Sequence, residues 1–418
     1  MKTSTFQKND FHLLVGPAEL TVQTGQIEVI AAKIGPGQKV VVPLGKRVPI
    51  LALDETTIEY EAKDDALTKM EASSVPAEWD QLADKIARER TAGKLYKIIV
   101  MGEVDTGKTF FSTYLANRLI DKLGRTAILD CDTGQSDIGP PGTFGMLVMQ
   151  KPAIFLTEET PTHLYLLGAH SPGLHFLPAM TGLNAMMRKA KAEADALIID
   201  TTGWVQGDGG RAIKKAKLDL VNPDLVVLMQ RGTELEHLVK HLPPSRIARL
   251  PVSKKASPTS QMERKGLREM VSTRYFRDAR VVTLPFRQVF TDRCFFLTGS
   301  PLTLEGTLHA EKLSGWEGTL VVTSGPLLPE MTKGWPTDLG MIRTFIAGEE
   351  RGLMVALLDA AQNCLAIARL EEIDFLNNQF RLRTPFKGSL DQIAGIQFGS
   401  LKLNEKGEEA GFLEPGSL

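Results

Sequence analysis

Short runs rich in β-branched residues, broken by Gly and Pro, fill the first 75 residues: Leu20 to Thr24, Gly25 to Ile30, Val40 to Gly45 and Val48 to Leu53. Turn signals at intervals of about 8 to 12 residues predict short strands in a small all-β domain. At Pro76 the period changes. Trp79, Leu82, Ala83, Ile86 and Ala87 share one helical face, with Asp80, Asp84, Lys85, Arg88 and Glu89 around it, which predicts a connecting helix within 76–93. After Gly93 the pattern reads strand (Tyr96 to Met101), Gly-rich turn, helix (Thr109 to Lys122) and strand (Thr126 to Leu129). That is the βαβ order of a parallel sheet with crossover helices. Two more buried runs, Ala196 to Ile199 and Asp224 to Met229, extend it. Near Thr298 the β-rich, Gly-punctuated texture returns and continues to Leu418. The predicted class is α/β: a central domain with a parallel sheet over 94–297, flanked by β-rich domains at 1–75 and 298–418.

Composition narrows the class. With 418 residues, 43% hydrophobic, the chain is long enough for two or three cored domains, and a disordered tail or disulfide miniprotein is excluded. No run of about 18 apolar residues and no basic-then-apolar start occurs, so a soluble, cytoplasmic protein without a membrane role is expected. Cys131, Cys294 and Cys364 are too scattered for a metal cluster and too few for a disulfide framework. The 49 basic and 50 acidic residues leave a net charge of -1, which on average does not favour a nucleic-acid partner.

Gly102-Glu103-Val104-Asp105-Thr106-Gly107-Lys108-Thr109 matches the full P-loop pattern between an apolar strand and a helix. Glycines let backbone N–H groups curl around phosphate oxygens, and the helix start adds positive potential. Lys108 reaches the β- and γ-phosphates, the Thr109 hydroxyl can ligate Mg²⁺, and the nucleotide-binding run extends to Phe110. The competing account, a chance Gly-rich turn, does not explain strand and helix falling on the required sides.

The next strand ends in Asp130-Cys131-Asp132-Thr133-Gly134-Gln135. At the carboxyl end of a parallel strand, carboxylates can hold Mg²⁺-bound water or take a proton from an attacking hydroxyl. Alternation sends Asp130 and Asp132 to one side and Cys131 to the other, where it reads as a small buried apolar residue. Otherwise the acidic pair caps a turn. Asp200, closing its own strand, is a second candidate for Mg²⁺ through water. Thr201-Thr202-Gly203-Trp204 follows at once. A Trp among glycines beyond a strand end could stack a base, or it packs on a neighbouring helix.

Residues 245–293 hold 12 Lys/Arg and 4 Asp/Glu, a charge of +8 against -9 for the rest. Arg264 and Arg268 fall one turn apart on a predicted helix after a loop from Ser253 to Ser260, spaced to grip phosphates as arginine fingers. A plain solvated helix face is the alternative. His237/His241 reads as a solvated or half-buried face, since it lacks the Glu of a zinc-protease helix, and the loop carrying His170 and His175 could instead touch substrate in the crevice.

Together these motifs resemble the Clp1/Grc3/Nol9 family of polynucleotide 5′-hydroxyl kinases. The resemblance rests on the P-loop, on Asp130 to Gln135 continuing as Ser136-Asp137-Ile138-Gly139-Pro140-Pro141-Gly142-Thr143, and on Thr201 to Trp204, the family's clasp. It includes the Arg264/Arg268 pair of the lid and the closing stretches Gly352 to Asp359 and Gly399 to Leu403. It implies a P-loop kinase domain with a clasp at about 201–210 and a lid at about 245–293, between β-rich terminal domains. It further implies that Lys108 stabilises the migrating phosphoryl group and Thr109 ligates Mg²⁺ directly. Asp132 would deprotonate the 5′-hydroxyl and hold Mg²⁺ through water, with Gln135 beside it. Thr201, Thr202, Gly203 and Trp204 would clamp the terminal nucleotide, and Arg264 and Arg268 would close over the phosphates. The P-loop interior, Glu103 to Thr106, differs from the eukaryotic wording, and no long terminal extension is expected, so partner docking as in eukaryotic relatives is not.

The function this implies is transfer of the γ-phosphate of ATP or GTP to the 5′-hydroxyl end of RNA or DNA, Mg²⁺-dependent and in line. Two other classes compete: a nucleotide-binding platform in RNA processing, and a P-loop GTPase or small-molecule kinase. The substrate-side residues speak against the platform, and no Asn-Lys-x-Asp guanine-reading motif supports a GTPase. No protein partner is named by the sequence.

Overall fold

The computed structural model of the chain describes residues 1–253 and 260–418. The loop expected ahead of the lid helix falls, at 254–259, outside the described residues. The chain divides into two compact units: Met1–Asp130, Met146–Thr160 and Asn184–Pro258 form the first, and Cys131–Gly145, Pro161–Leu183 and Thr259–Leu418 the second.

The first unit begins with the expected strands. Lys2–Phe6, Thr56–Ala62, Ala18–Thr24 and Lys39–Val42 form one antiparallel sheet, and five further strands, among them Phe11–Val15 and Arg47–Ala52, form another. Side chains alternate in and out along Ala18–Thr24, so Leu20 and Val22 are buried, as are Phe6, Leu14, Ile50 and Ile58 on other strands of these sheets, all nearly fully. Helix α1 (Ala77–Glu89) follows, burying Trp79, Leu82, Ala83 and Ile86. Its Trp79 ring meets the edges of Phe111 and Tyr114 on α2 (Lys108–Leu123), contacts that add to simple area burial.

Beyond α1 a parallel sheet runs in the order Ile247–Pro251, Leu225–Gln230, Tyr96–Gly102, Ala196–Thr201, Thr126–Cys131. The P-loop strand is central, with Val100 opposite Asp200 on one side and Gly102 opposite Met229 on the other. Near-continuous apolar burial along these strands reflects a sheet covered on both faces. Helix α3 (Phe176–Glu193) and α4 (Gly207–Val221) flank Ala196–Thr201 in sequence, and the short α5 (Glu236–Val239) follows Leu225–Gln230.

The second unit is mainly antiparallel. His163–Leu166, Cys364–Asp374, Leu353–Leu358, Gly395–Leu403 and Phe290–Asp292 lie side by side, and Glu409–Phe412 pairs with Gly395–Leu403. A four-stranded sheet, Ser300–Leu302 to Met341–Ile346, adds to it. Phe296, Leu320, Val355, Leu370, Phe380 and Ile396 build the core. Helix α6 (Gln261–Tyr275) opens with a capping box between Ser260 and Glu263. Among the described residues, no helix is long and apolar enough to cross a membrane.

Candidate active site

The P-loop leaves the sheet at Gly102, where a Cβ would lie 2.4 Å from Thr106 Oγ1 and 2.8 Å from the Met229 carbonyl. Gly107 turns the chain into α2 with φ +85°, a conformation that favours glycine. Within the loop, Thr106 Oγ1 donates to the Glu103 carbonyl at 2.9 Å and Lys108 Nζ to the same oxygen at 2.7 Å. Thr109 Oγ1 donates to Asp200 Oδ2 at 2.6 Å. Asp200 is 1% exposed, at the end of the strand beside the loop. Of the two carboxylate positions weighed from sequence, Asp200 is the one that meets Thr109.

The segment Thr201 to Trp204, expected to act as a clasp, backs onto the P-loop. A Cβ on Gly203 would lie 2.5 Å from Val104 Cγ2 and 2.6 Å from Val104 N, so only glycine lets the two backbones approach this closely. Trp204 is half-buried, and its indole edge lies 3.1 Å from where a Cβ on Gly210 would stand, near the start of α4. Beneath it, the fully buried Lys214 of α4 donates to Thr201 Oγ1 at 2.7 Å and to the Thr202 carbonyl, while Thr201 Oγ1 donates to the Val100 carbonyl at 2.7 Å. The unusual P-loop acid is also tied in: Glu103 Oε1 accepts from Gln206 Nε2 at 2.8 Å, and Arg231 Nη1 stands 3.8 Å from Glu103 Oε2.

A cavity of ≈ 860 Å³ opens beside Thr106 and Gly107. Arg47, Pro49 and Lys69 from the β-rich front line it, as do Trp79, Phe110 and Met229. Sequence reading identified no base-reading residue, because these walls come from positions far apart in the chain.

In the second unit, Asp132 Oδ1 accepts from the amides of Gly134 at 3.1 Å and Gln135 at 3.2 Å, the Asx-turn geometry weighed above. Gln135 Nε2 is buried and has no hydrogen-bond partner among the described residues, an arrangement that favours a ligand there. Arg264 and Arg268 are partly buried on α6, and Arg268 Nε donates to Glu409 Oε1. Cys131 is fully buried. His237 is half-buried and His241 exposed.

The oxygen set suits a hard cation. Thr109 Oγ1 and Asp200 supply two oxygens at the P-loop, and no group of three or more His, Cys, Asp or Glu able to hold a metal occurs among the described residues. Mg²⁺ there would draw its remaining ligands from phosphate and water, as it commonly does.

Comparison with known proteins decides the family. Residues 102–278 match the family described as mRNA cleavage and polyadenylation factor CLP1 P-loop. A polyribonucleotide 5′-hydroxyl-kinase from Pyrococcus horikoshii is 30% identical over 351 residues, covering 82% of this chain and 94% of the relative. The chain belongs to the Clp1 family. A Thermococcus kodakarensis relative with the same kinase name is also 30% identical, over 82% of this chain and 97% of its own. A Brugia malayi CLP1 homolog is 26% identical over 66% of the chain and 68% of the relative. Among solved structures, Clp1p in a complex with Pcf11p matches with a TM-score of 0.67 at 13% identity, over 96% of this chain and 97% of that one. This likeness carries the Clp1 fold: a P-loop α/β centre with β-rich regions.

Proposed function

We propose that this Clp1-family chain is a polynucleotide 5′-hydroxyl kinase, moving the γ-phosphate of a nucleoside triphosphate onto the 5′-hydroxyl of RNA or DNA. The observation that carries the reading is the contact of clasp and P-loop: Gly203 lies so close to Val104 that a Cβ would overlap it. That contact supports a terminal nucleotide held by Thr201 to Trp204 lying beside the donor phosphates, and positioning is most of what phosphoryl transfer asks of a protein.

The P-loop amides and Lys108 hold the β- and γ-phosphates. The donor's nucleoside occupies the cavity between Arg47, Lys69, Trp79 and Phe110. Thr109, with Asp200 or Asp132 acting through water, would hold Mg²⁺, which would supply neutralisation of charge on the transferring group. Asp132 accepts the 5′-hydroxyl proton, Gln135 orients the acceptor, and Arg264 and Arg268 take up charge on the phosphoryl oxygens. No covalent enzyme intermediate is required. The +8 segment at 245–293 draws the polynucleotide backbone through its phosphates. ATP and GTP both suit the donor role, and the cytoplasm is the expected compartment.

The test is transfer of label from γ-labelled ATP or GTP to 5′-hydroxyl oligoribonucleotides and oligodeoxyribonucleotides, with Lys108→Ala and Asp132→Asn alongside. Wild-type label on an oligonucleotide, lost in both variants while Asp132→Asn still binds nucleotide, is the expected result. Bound nucleotide with label on neither oligonucleotide would overturn the reading in favour of a binding platform.

A further inference from the structure

We infer that Glu409, on the strand Glu409–Phe412 near the carboxyl end, is a positioning residue for the lid arginine Arg268. The inference deepens the kinase reading and takes its catalytic sense from it. Arg268 Nε donates to Glu409 Oε1, and the two side chains are only 18% and 20% exposed. Such partial burial shields the pair from the screening that weakens surface ion pairs. The bond runs through Nε, and no hydrogen bond ties down either Nη group among the described residues, so the fork that matches phosphate oxygens stays outside the tie.

Two observations argue that this bond serves the arginine rather than the helix. Helix α6 is already fastened at its carboxyl half: Thr273 Oγ1 donates to the Lys406 carbonyl at 2.8 Å, and Tyr275 Oη accepts from Ile367 N at 2.9 Å. Gly407 lies against that same half, where a Cβ would stand 3.3 Å from Ser272 C and Thr273 N, so the turn leading to Glu409 is seated on α6 without help from the ion pair. Second, His170 Nε2 stands 3.2 Å from the Glu409 oxygen that Arg268 engages. The His170 carbonyl lies 3.1 Å from the Cβ position of Gly134, in the turn that carries Asp132 and Gln135. Glu409 thus stands between the lid helix and the loop that backs the proposed base.

Charge fits this role. Burial holds the His170 imidazole below its ordinary pKa, which keeps it neutral near pH 7. Burial pushes Glu409 upward, but the Arg268 hydrogen bond and neighbouring positive charge, Arg268 and Lys265 among it, outweigh it and hold the carboxyl below its ordinary range. Arg268 is therefore the cation that Glu409 balances. An arginine on a flexible stem gives up rotamer freedom on gripping a phosphate, and a bond formed beforehand removes part of that cost before the nucleotide arrives.

The experiment is a double-mutant cycle of Glu409→Gln and Arg268→Ala, reading kcat and KM for both substrates, with Glu409→Asp as the conservative variant and thermal melting as a check on folding. Glu409→Gln should lower kcat by about tenfold or more with little change in KM for the nucleotide. Glu409→Asp should recover part of the loss, and Glu409→Gln should cost nothing further in the Arg268→Ala background. Unchanged kcat in Glu409→Gln, or losses that simply multiply in the double variant, would overturn the inference while leaving the kinase reading intact. Absence of transfer by the wild-type chain would instead overturn the kinase reading, and with it the catalytic sense of Glu409.

Discussion

Thr109 gives its hydroxyl hydrogen to Asp200 across 2.6 Å, joining the first turn of α2 to the carboxyl end of the neighbouring strand. Asp200 is 1% exposed, and its carboxylate beside the Thr109 hydroxyl offers the oxygen ligands that suit a hard cation at the P-loop. Asp200→Asn should keep the shape and remove the charge. We expect kcat to fall on the order of 10²- to 10³-fold, with a higher Mg²⁺ requirement; an unaltered Mg²⁺ titration would assign Asp200 to structure alone.

Gly203→Ala tests the seam between clasp and P-loop. Its methyl would meet both the side chain and the backbone nitrogen of Val104, so one loop must move. A loss of nucleotide affinity of about 1–3 kcal/mol is expected from the strain, measured by calorimetry on a chain that still folds. Val104→Ala should relieve the loss only in part, because the backbone contact persists.

For Trp204, the ring's packing near Gly210 leaves its role in stacking to experiment. Trp204→Ala should weaken oligonucleotide binding by roughly 1–3 kcal/mol if a base stacks there, with Trp204→Phe intermediate. Equal affinities for all three chains, read by fluorescence anisotropy, would leave the indole as packing for α4.

Acid should destabilise the fold early. Burial holds His12, His170 and His175 below the ordinary histidine value of 6.5, with Arg293 adding to the effect at His175. The unfolded chain then binds more protons than the folded one below about pH 6.5, so stability falls as pH drops through that point and is unaffected above it. Glu409, depressed by its partners, loses its contribution at lower pH still. Melting temperatures from pH 7.5 to 5 should show the decline, and His170→Gln should make it shallower; a flat profile would contradict the burial of neutral imidazoles.

What the sequence made legible was local. The P-loop, the strands on either side of it and the helix from Gln261 are encoded by neighbouring residues, and Ser260 with Glu263 announces the start of that helix by capping chemistry alone. Asp200 was legible as a strand-end carboxylate, though not its bond to Thr109. What escaped depends on distant partners. Glu409 lies 141 residues from Arg268, and nothing around it distinguishes it from a solvated acid. Lys214 sits on an amphipathic helix where a lysine ordinarily faces water, yet it is fully buried beneath Thr201 and Thr202. Gln206 and Arg231 become recognisable as partners of Glu103 only once three strand ends lie side by side.

The fastening of α2 to the β-rich front bears on how the protein can be taken apart. Arg118 of α2 grips both Glu28 oxygens and reaches Asp80, while Asn117 donates to the carbonyls of Ile30 and Ala153. The helix that begins at the P-loop lysine is therefore bolted, three turns on, to residues that precede position 35. Removing the front would strip a wall from the cavity beside the P-loop and leave Asn117 without Ile30 and Arg118 without Glu28. For anyone building chimaeras within the family, the front is to be exchanged together with the rest of its unit, Met1–Asp130, Met146–Thr160 and Asn184–Pro258.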